Sequence, residues 1–148
     1  MQQPYLPFLR SQKVMAIACH NGDELWIANV YIGVDDHALI YFISSEDTKH
    51  CSMILQNPQV AFSLSWFDAK NHGNRKGIQA TGVCRPAESE EEILQGLLLH
   101  NKNYPEFKDR ITREWLREAA KRKVWVVTAK TIKYWDDELY GEKGWQNF

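Results

Sequence analysis

Apolar positions in the first half of the chain fall into short runs of β character separated by polar breaks. A brief helical segment, Pro4 to Gln12, comes first, with Leu6, Phe8 and Leu9 facing inward. Val14 to His20 (VMAIACH) then reads as a strand that ends at Asn21-Gly22, the pair most often found in hairpin turns. Leu25 to Ile32 (LWIANVYI) is the return strand, Gly33 to His37 a turn, and Ala38 to Ser44 (ALIYFIS) a third strand. Connections this short predict an antiparallel meander, because parallel pairs need long crossovers. Trp26 to Val30 is then expected beside the third strand.

The pattern changes at Ser44-Ser45-Glu46-Asp47, which matches a capping box, with a hydroxyl at the cap and a carboxylate three residues on. The helix that follows is expected to bury Met53 and Ile54 and to run to about Gln56, where Asn57-Pro58 stops it. Gln59 to Phe67 is a fourth strand, Asp68 to Asn74 a polar loop, and Lys76 to Cys84 a fifth strand. Within that fifth strand Gly77 and Gly82 mark a bulge or a close backbone approach. Pro86 to Arg122 is helical in pattern, with a stripe of Ile93, Leu94, Leu97 and Leu98, then Phe107, Ile111 and Trp115 at four-residue spacing. Lys123 to Thr128 is the sixth strand, extended past a kink by Ile132 to Trp135. The tail from Asp136 shows no clear element. Six strands with most helices off the sheet predict an α+β fold curling towards a barrel that protects its edges.

Composition narrows the function. A length of 148 residues fits a single domain, 1–148, able to bury its own core. The net charge of −1, with acids and bases interspersed, argues against nucleic-acid binding, which needs a concentrated basic surface. Apolar runs are too short to cross a bilayer, and Met1 to Arg10 does not resemble a secretory signal. Cys19, Cys51 and Cys84 are odd in number and scattered, as expected of thiols in a reducing cytoplasm. They and the five histidines show no metal-ligand spacing, so no metal site is expected. Six Trp, six Tyr and six Phe are an unusual aromatic content; most are expected in the core, and the rest suit an interface or the walls of a planar ligand.

The stretch that suggests chemistry is Tyr41 to His50 (YFISSEDTKH), where a strand delivers the chain into a helix N-terminus carrying Ser44, Ser45, Thr48, Lys49 and His50. Free amides, hydroxyls and a cation within one turn suit a phosphate. The same residues also serve as a plain cap and a solvated lysine, and the junction alone does not separate the two. Around it stand Ala28-Asn29-Val30, the strand entry Asn57-Pro58-Gln59-Val60, Lys76-Gly77-Ile78-Gln79 to Gly82, and Ile132-Lys133-Tyr134-Trp135. In this order the stretches resemble the pyridoxamine 5′-phosphate oxidase-like family of FMN-binding split barrels, over roughly residues 8 to 140.

The resemblance implies a six-stranded antiparallel split β-barrel with flanking helices, paired as a homodimer with FMN at the subunit interface. Thr48 and Lys49 would hold the phosphate with His50 nearby, and Ser44 would sit by the phosphate or ribityl chain. The Ala28, Asn29 and Val30 backbone would line the ring edge, and Gln79 and Lys76 would reach the flavin from the fifth strand. Trp135 or Trp145 would cover it from the partner. Asn29 is equally suited to cross-strand bonding and Gln79 to solvent, while Trp26 belongs to the core. The family's oxidase grips its substrate with a C-terminal Arg-x-His; no Arg follows Arg122 here, so oxidation of pyridoxamine phosphate is not expected. That leaves a cytoplasmic, FMN-dependent oxidoreductase on an unspecified small substrate, with no catalytic side chain singled out. The alternative is a carrier or sensor of flavin, haem or a deazaflavin on the same barrel.

Overall fold

Alternation of inward and outward side chains organises the sheet. The computed structural model describes residues 3–142 and 144–148. The helix α1 (Leu6–Ser11) buries Leu6, Phe8 and Leu9, and the Phe8 ring stacks on Tyr134 at 5.8 Å. Strand β1 (Val14–His20) turns Met15, Ile17 and Cys19 inward, and β2 (Leu25–Tyr31) pairs with it. Their hairpin is the one expected: Gly22 adopts φ +99°, and Asn21 Oδ1 accepts the N–H groups of Asp23 and Glu24.

The meander does not continue. A two-residue strand β3 (Gly33–Val34) pairs with β4 (Ile40–Ser45), and β4 pairs with the C-terminal strand β7 (Arg122–Asp136), not with β2. The chain passes from one end of the strand path to the other at Ile32, between β2 and β3, and the turn at Asp35 then joins β3 to β4. There the carboxylate accepts N–H groups from His37 and Leu39, and Ala38 takes φ 64°. Burial explains the transfer. Ile40, Tyr41 and Phe42 are buried on both faces, which requires an internal position, whereas β2 keeps an exposed face.

Between these lie the helix α2 (Lys49–Gln56), β5 (Gln59–Asp68) and β6 (Asn71–Pro86). The strand path is β2-β1-β5-β6-β7-β4-β3. A further strand, β8 (Trp145–Asn147), pairs with β7, so among the described residues the sheet has eight strands, seven of them on the path, where six were expected. The sheet curls until β2 and β4 approach without pairing, which leaves a seam. Inside the curl sit Ile17, Phe42, Ile78 and Trp125 among others. A second core outside it packs Tyr41, Val124 and Val126 against Leu97, Ile111 and Leu116.

Several expectations shift in detail. The polar loop at Asp68 to Asn74 contracts to a tight turn, since Asp68 pairs with Asn71 and its carboxylate accepts the Lys70 N–H. Gly82 does mark a bulge: the β6–β7 register slips there, and a Cβ would lie 2.3 Å from the Thr128 carbonyl oxygen. The helix α3 (Glu90–Asn103) starts on a Ser89 cap and buries Gly96, Leu97 and His100, while Leu94 and Leu98 of the expected stripe face solvent. Gly96 is the reason, because its missing side chain lets α3 settle onto Val124 and Tyr41. Beyond it the 105–120 segment is a 3₁₀ turn (Pro105–Phe107) and a short helix α4 (Arg113–Arg117) rather than one long helix. The tail is ordered too, as α5 (Asp137–Tyr140) and β8.

Candidate cofactor site at the β4–α2 junction

Strand β4 ends at Ser45, and Thr48, not Ser44, caps α2: its Oγ1 accepts the Cys51 N–H at 3.3 Å and donates to the Ser45 carbonyl at 2.8 Å. Ser44 stays in the strand, register-paired with Lys123, and its carbonyl accepts the Trp125 indole N–H at 3.0 Å. The N-cap therefore lies four residues beyond the expected one, and with Cys51 three residues after Thr48 no capping box forms. The Asp47 carboxylate is instead paired with Lys121 and the Glu46 carboxylate with Lys123, so neither acid closes the box.

Three of the nominated side chains meet here. Ser44 Oγ lies 3.2 Å from His50 Nε2 and 3.4 Å from Thr48 Oγ1. Burial holds His50 below the usual imidazole range, so at neutral pH it is an uncharged bonding partner rather than a cation. Beneath it Cys51 is fully buried, its thiol pushed up by the same cause. All three cysteines are free and buried. The helix leaves its first amides without intrahelical acceptors. Thr48 takes that of Cys51; those of Lys49 and His50 find no acceptor among the described residues.

The remaining nominees are elsewhere. Lys49 leans back across the β1–β2 hairpin, its ammonium 2.9 Å from Glu24 and 4.4 Å from the centre of the Trp26 ring. Both charged side chains are about half exposed, so this pair is weak and the lysine is readily redirected. Ala28 and Val30 turn towards the core, while Asn29 points out. Because β2 ends the strand path, its second edge pairs with no strand among the described residues. Gln79 is exposed on the outer face, in one register row with Asn29, Ala16, Ser63 and Lys133. Three strand spacings separate it from Asn29, roughly 14 Å. Lys76 lies at the far end of β6, 3.0 Å from Glu138 and 3.7 Å from Asp136. The hydrogen bond to Glu138 raises its pKa.

Glu24 and Trp125, which position the junction, went unnoticed as site residues, and Trp26, expected in the core, is instead 43% exposed beneath the Lys49 ammonium. Glu24 and Trp26 enter only through the hairpin packing over α2. Trp125 carries no signal apart from its place in an apolar strand.

The model of the family described as pyridoxamine 5′-phosphate oxidase matches residues 1–136. The chain belongs to the pyridoxamine 5′-phosphate oxidase-like split-barrel family. A UPF0306 protein of Enterobacter sp. (strain 638) is 27% identical over 143 residues, covering 92% of this chain and 89% of the relative. Two solved structures share the fold. One is a putative pyridoxamine 5′-phosphate oxidase from Listeria innocua, with TM-score 0.65, 16% identity, and 87% and 93% of the two chains covered. The other is a heme binding protein from Mycobacterium smegmatis, with TM-score 0.72 and 16% identity. It is covered to 53% by 93% of this chain, which thus spans about half its length. The curled antiparallel sheet with few helices is the split-barrel architecture. Among the described residues no helix is long and apolar enough to cross a membrane.

Proposed function

We propose that two copies of this chain bind FMN between them and use it as an oxidoreductase on a small substrate. The observation that carries this reading is the β4–α2 junction, where Ser44, Thr48 and His50 surround the unbonded amides of Lys49 and His50. A phosphate fits that arrangement: the amides donate, the helix dipole favours the anion, and Lys49 swings from Glu24 to meet it. Bound there, FMN would supply hydride or electron transfer at its ring. The open edge of β2 offers Ala28, Asn29 and Val30 backbone groups to the ring. Gln79 and Lys76, remote within one chain, are then supplied by the second copy. The outer face supports pairing: Leu25, Ile27 and Tyr31 are exposed beside the small side chains of Ala16, Ala18 and Ala61.

The test is a visible spectrum of the purified protein and a titration with FMN. The expected outcome is saturable binding with flavin bands, and Lys49→Ala weakens it about tenfold or more, the effect of losing one charge-assisted contact. A colourless protein that takes up no added FMN overturns the reading. Turnover with NADH or NADPH separates an enzyme from a carrier.

The likeness to the M. smegmatis heme binding protein supports a second reading, a haem carrier without turnover. Parallel titration with haemin decides between them: a Soret band shifted by the protein, with no FMN uptake, favours the carrier.

A further inference from the structure

Between the start of β7 and the helices α3 and α4 lies a small cavity of ≈210 Å³. Ile93, Leu116 and Val124 form its apolar wall, and Arg113, Arg117, Arg122 and Lys123 bring charge to it; no Asp or Glu is among its lining. Side chains alternate across the sheet, so that Phe42 and Trp125 fill the barrel while Val124 packs in the second core outside it. Arg122 shares the face of Val124, and Ser44 shares that of Phe42. The sheet therefore stands between this cavity and the Ser44–His50 contacts. Lys123 falls on the barrel side of the alternation and is 3.5 Å from Glu46, so it only rims the space.

The three guanidiniums are unequally engaged. Arg113 donates to both Glu90 oxygens, at 2.8 and 3.0 Å, and Arg117 lies 3.7 Å from the same carboxylate. One acid thus serves two arginines. Arg122 has no carboxylate partner among the described residues: its guanidinium stacks 3.7 Å from the centre of the Trp115 ring and gives one N–H to the Trp115 carbonyl. Stacking fixes the plane of the fork and leaves its other donors unspent. The amides of Ala119 and Ala120, which also line the cavity, find no acceptor among the described residues. We propose that this cavity binds a short dicarboxylate of about four or five carbons, one carboxylate on the Arg122 fork and the other on Arg117 and the free edge of Arg113. The volume is below that of ordinary cofactor and drug-sized sites, which excludes a ring system. Planar forks arriving from α4 and from β7, with an apolar wall of Ile93, Leu116 and Val124 at hand, match two planar acceptors joined by methylenes. A tetrahedral anion would gather its charge at one point and leave that wall uncovered. The inference goes beyond the flavin reading and does not depend on it, since no residue given to the flavin lines this cavity.

Calorimetric titration of the full chain with succinate, in phosphate-free buffer, tests it. One-to-one binding is expected, with no heat from butyrate, which has the same chain and a single acid group. Arg122→Gln weakens succinate about tenfold or more, the effect of losing one charge-assisted fork. Should Arg122→Gln disturb folding through its contact with Trp115, Arg117→Gln carries the test, because Arg117 is 59% exposed and its loss spares the fold. Lys49→Ala and saturating FMN leave the succinate affinity unchanged, so failure of the flavin reading and failure of this one are told apart. Absence of saturable binding, equal binding of butyrate, displacement of succinate by an equal concentration of inorganic phosphate, undiminished binding in the folded arginine variants, or competition by FMN each overturns the proposal.

Discussion

His50 shows how one residue's environment sets its chemistry. Its ring packs near Phe42 at 6.2 Å and bonds to Ser44, and burial favours the neutral form. The folded-state pKa therefore lies below the unfolded value near 6.5. The unfolded chain binds the proton first as pH falls, so the stability from the neutral ring is complete above about pH 6.5 and is lost as pH drops through the folded pKa. Thermal melts between pH 7.5 and 5 should show a decline that His50→Gln reduces. An unchanged slope in the variant would assign the loss to other groups. The residue types around His50 were legible in the sequence, as was their nearness along the chain. Their partners were not, because Trp125 and Glu24 reach the junction through sheet and hairpin packing.

Elements owe their ends to single side chains, and the tail makes this plain. Asp136 is buried, its Oδ1 accepting the amides of Glu138 and Leu139 as the cap of α5, and its Oδ2 accepting the Tyr134 hydroxyl at 2.7 Å. Burial, reinforced by the hydrogen bond to this carboxylate, drives the Tyr134 phenol far above its ordinary range. Asp136→Ala uncaps α5 and leaves a buried hydroxyl unpaired, a destabilisation of roughly 2–4 kcal/mol when cap and hydrogen bond are combined. Urea denaturation should report it, and a loss under about 0.5 kcal/mol would mean that the tail is held mainly by β8. In the sequence this segment looked structureless, since a four-residue helix and a three-residue strand carry too little periodicity to be seen. The helix α2 was more legible, because Pro58 stops it and Met53 and Ile54 supply an apolar face. Its start was misplaced because Ser44-x-x-Asp47 mimics a capping box while the actual cap, Thr48, has no carboxylate three residues on, and the strand's pairing with β7 claims Ser44 and Ser45.

For the molecule as a whole, the outer sheet face is the feature a lone chain leaves unexplained. Ala18 stands between Ile27 and Ala61 in one register row, with Leu25, Ile27 and Tyr31 exposed around it. A second copy laid on this face would cover those side chains. Sedimentation velocity should therefore give a dimer for the natural chain and a monomer for Ala18→Arg, with circular dichroism unchanged because the side chain points away from the core. A monomeric natural chain would rule out a cofactor shared between copies.

Local patterning by itself determined the six longer strands, the hairpin at Asn21-Gly22, the stop at Pro58 and the bulge glycine, since each depends on neighbours a few residues away. It also carried the family likeness that the match over residues 1–136 bears out. Strand partners were decided only in three dimensions. The third strand leaves the meander because both its faces need cover, and a pairing choice between β2 and β7 is a contest over burial across more than 80 residues that no local window contains. The direction of Lys49, towards Glu24 and Trp26 of the β1–β2 hairpin, likewise rests on partners distant in the chain.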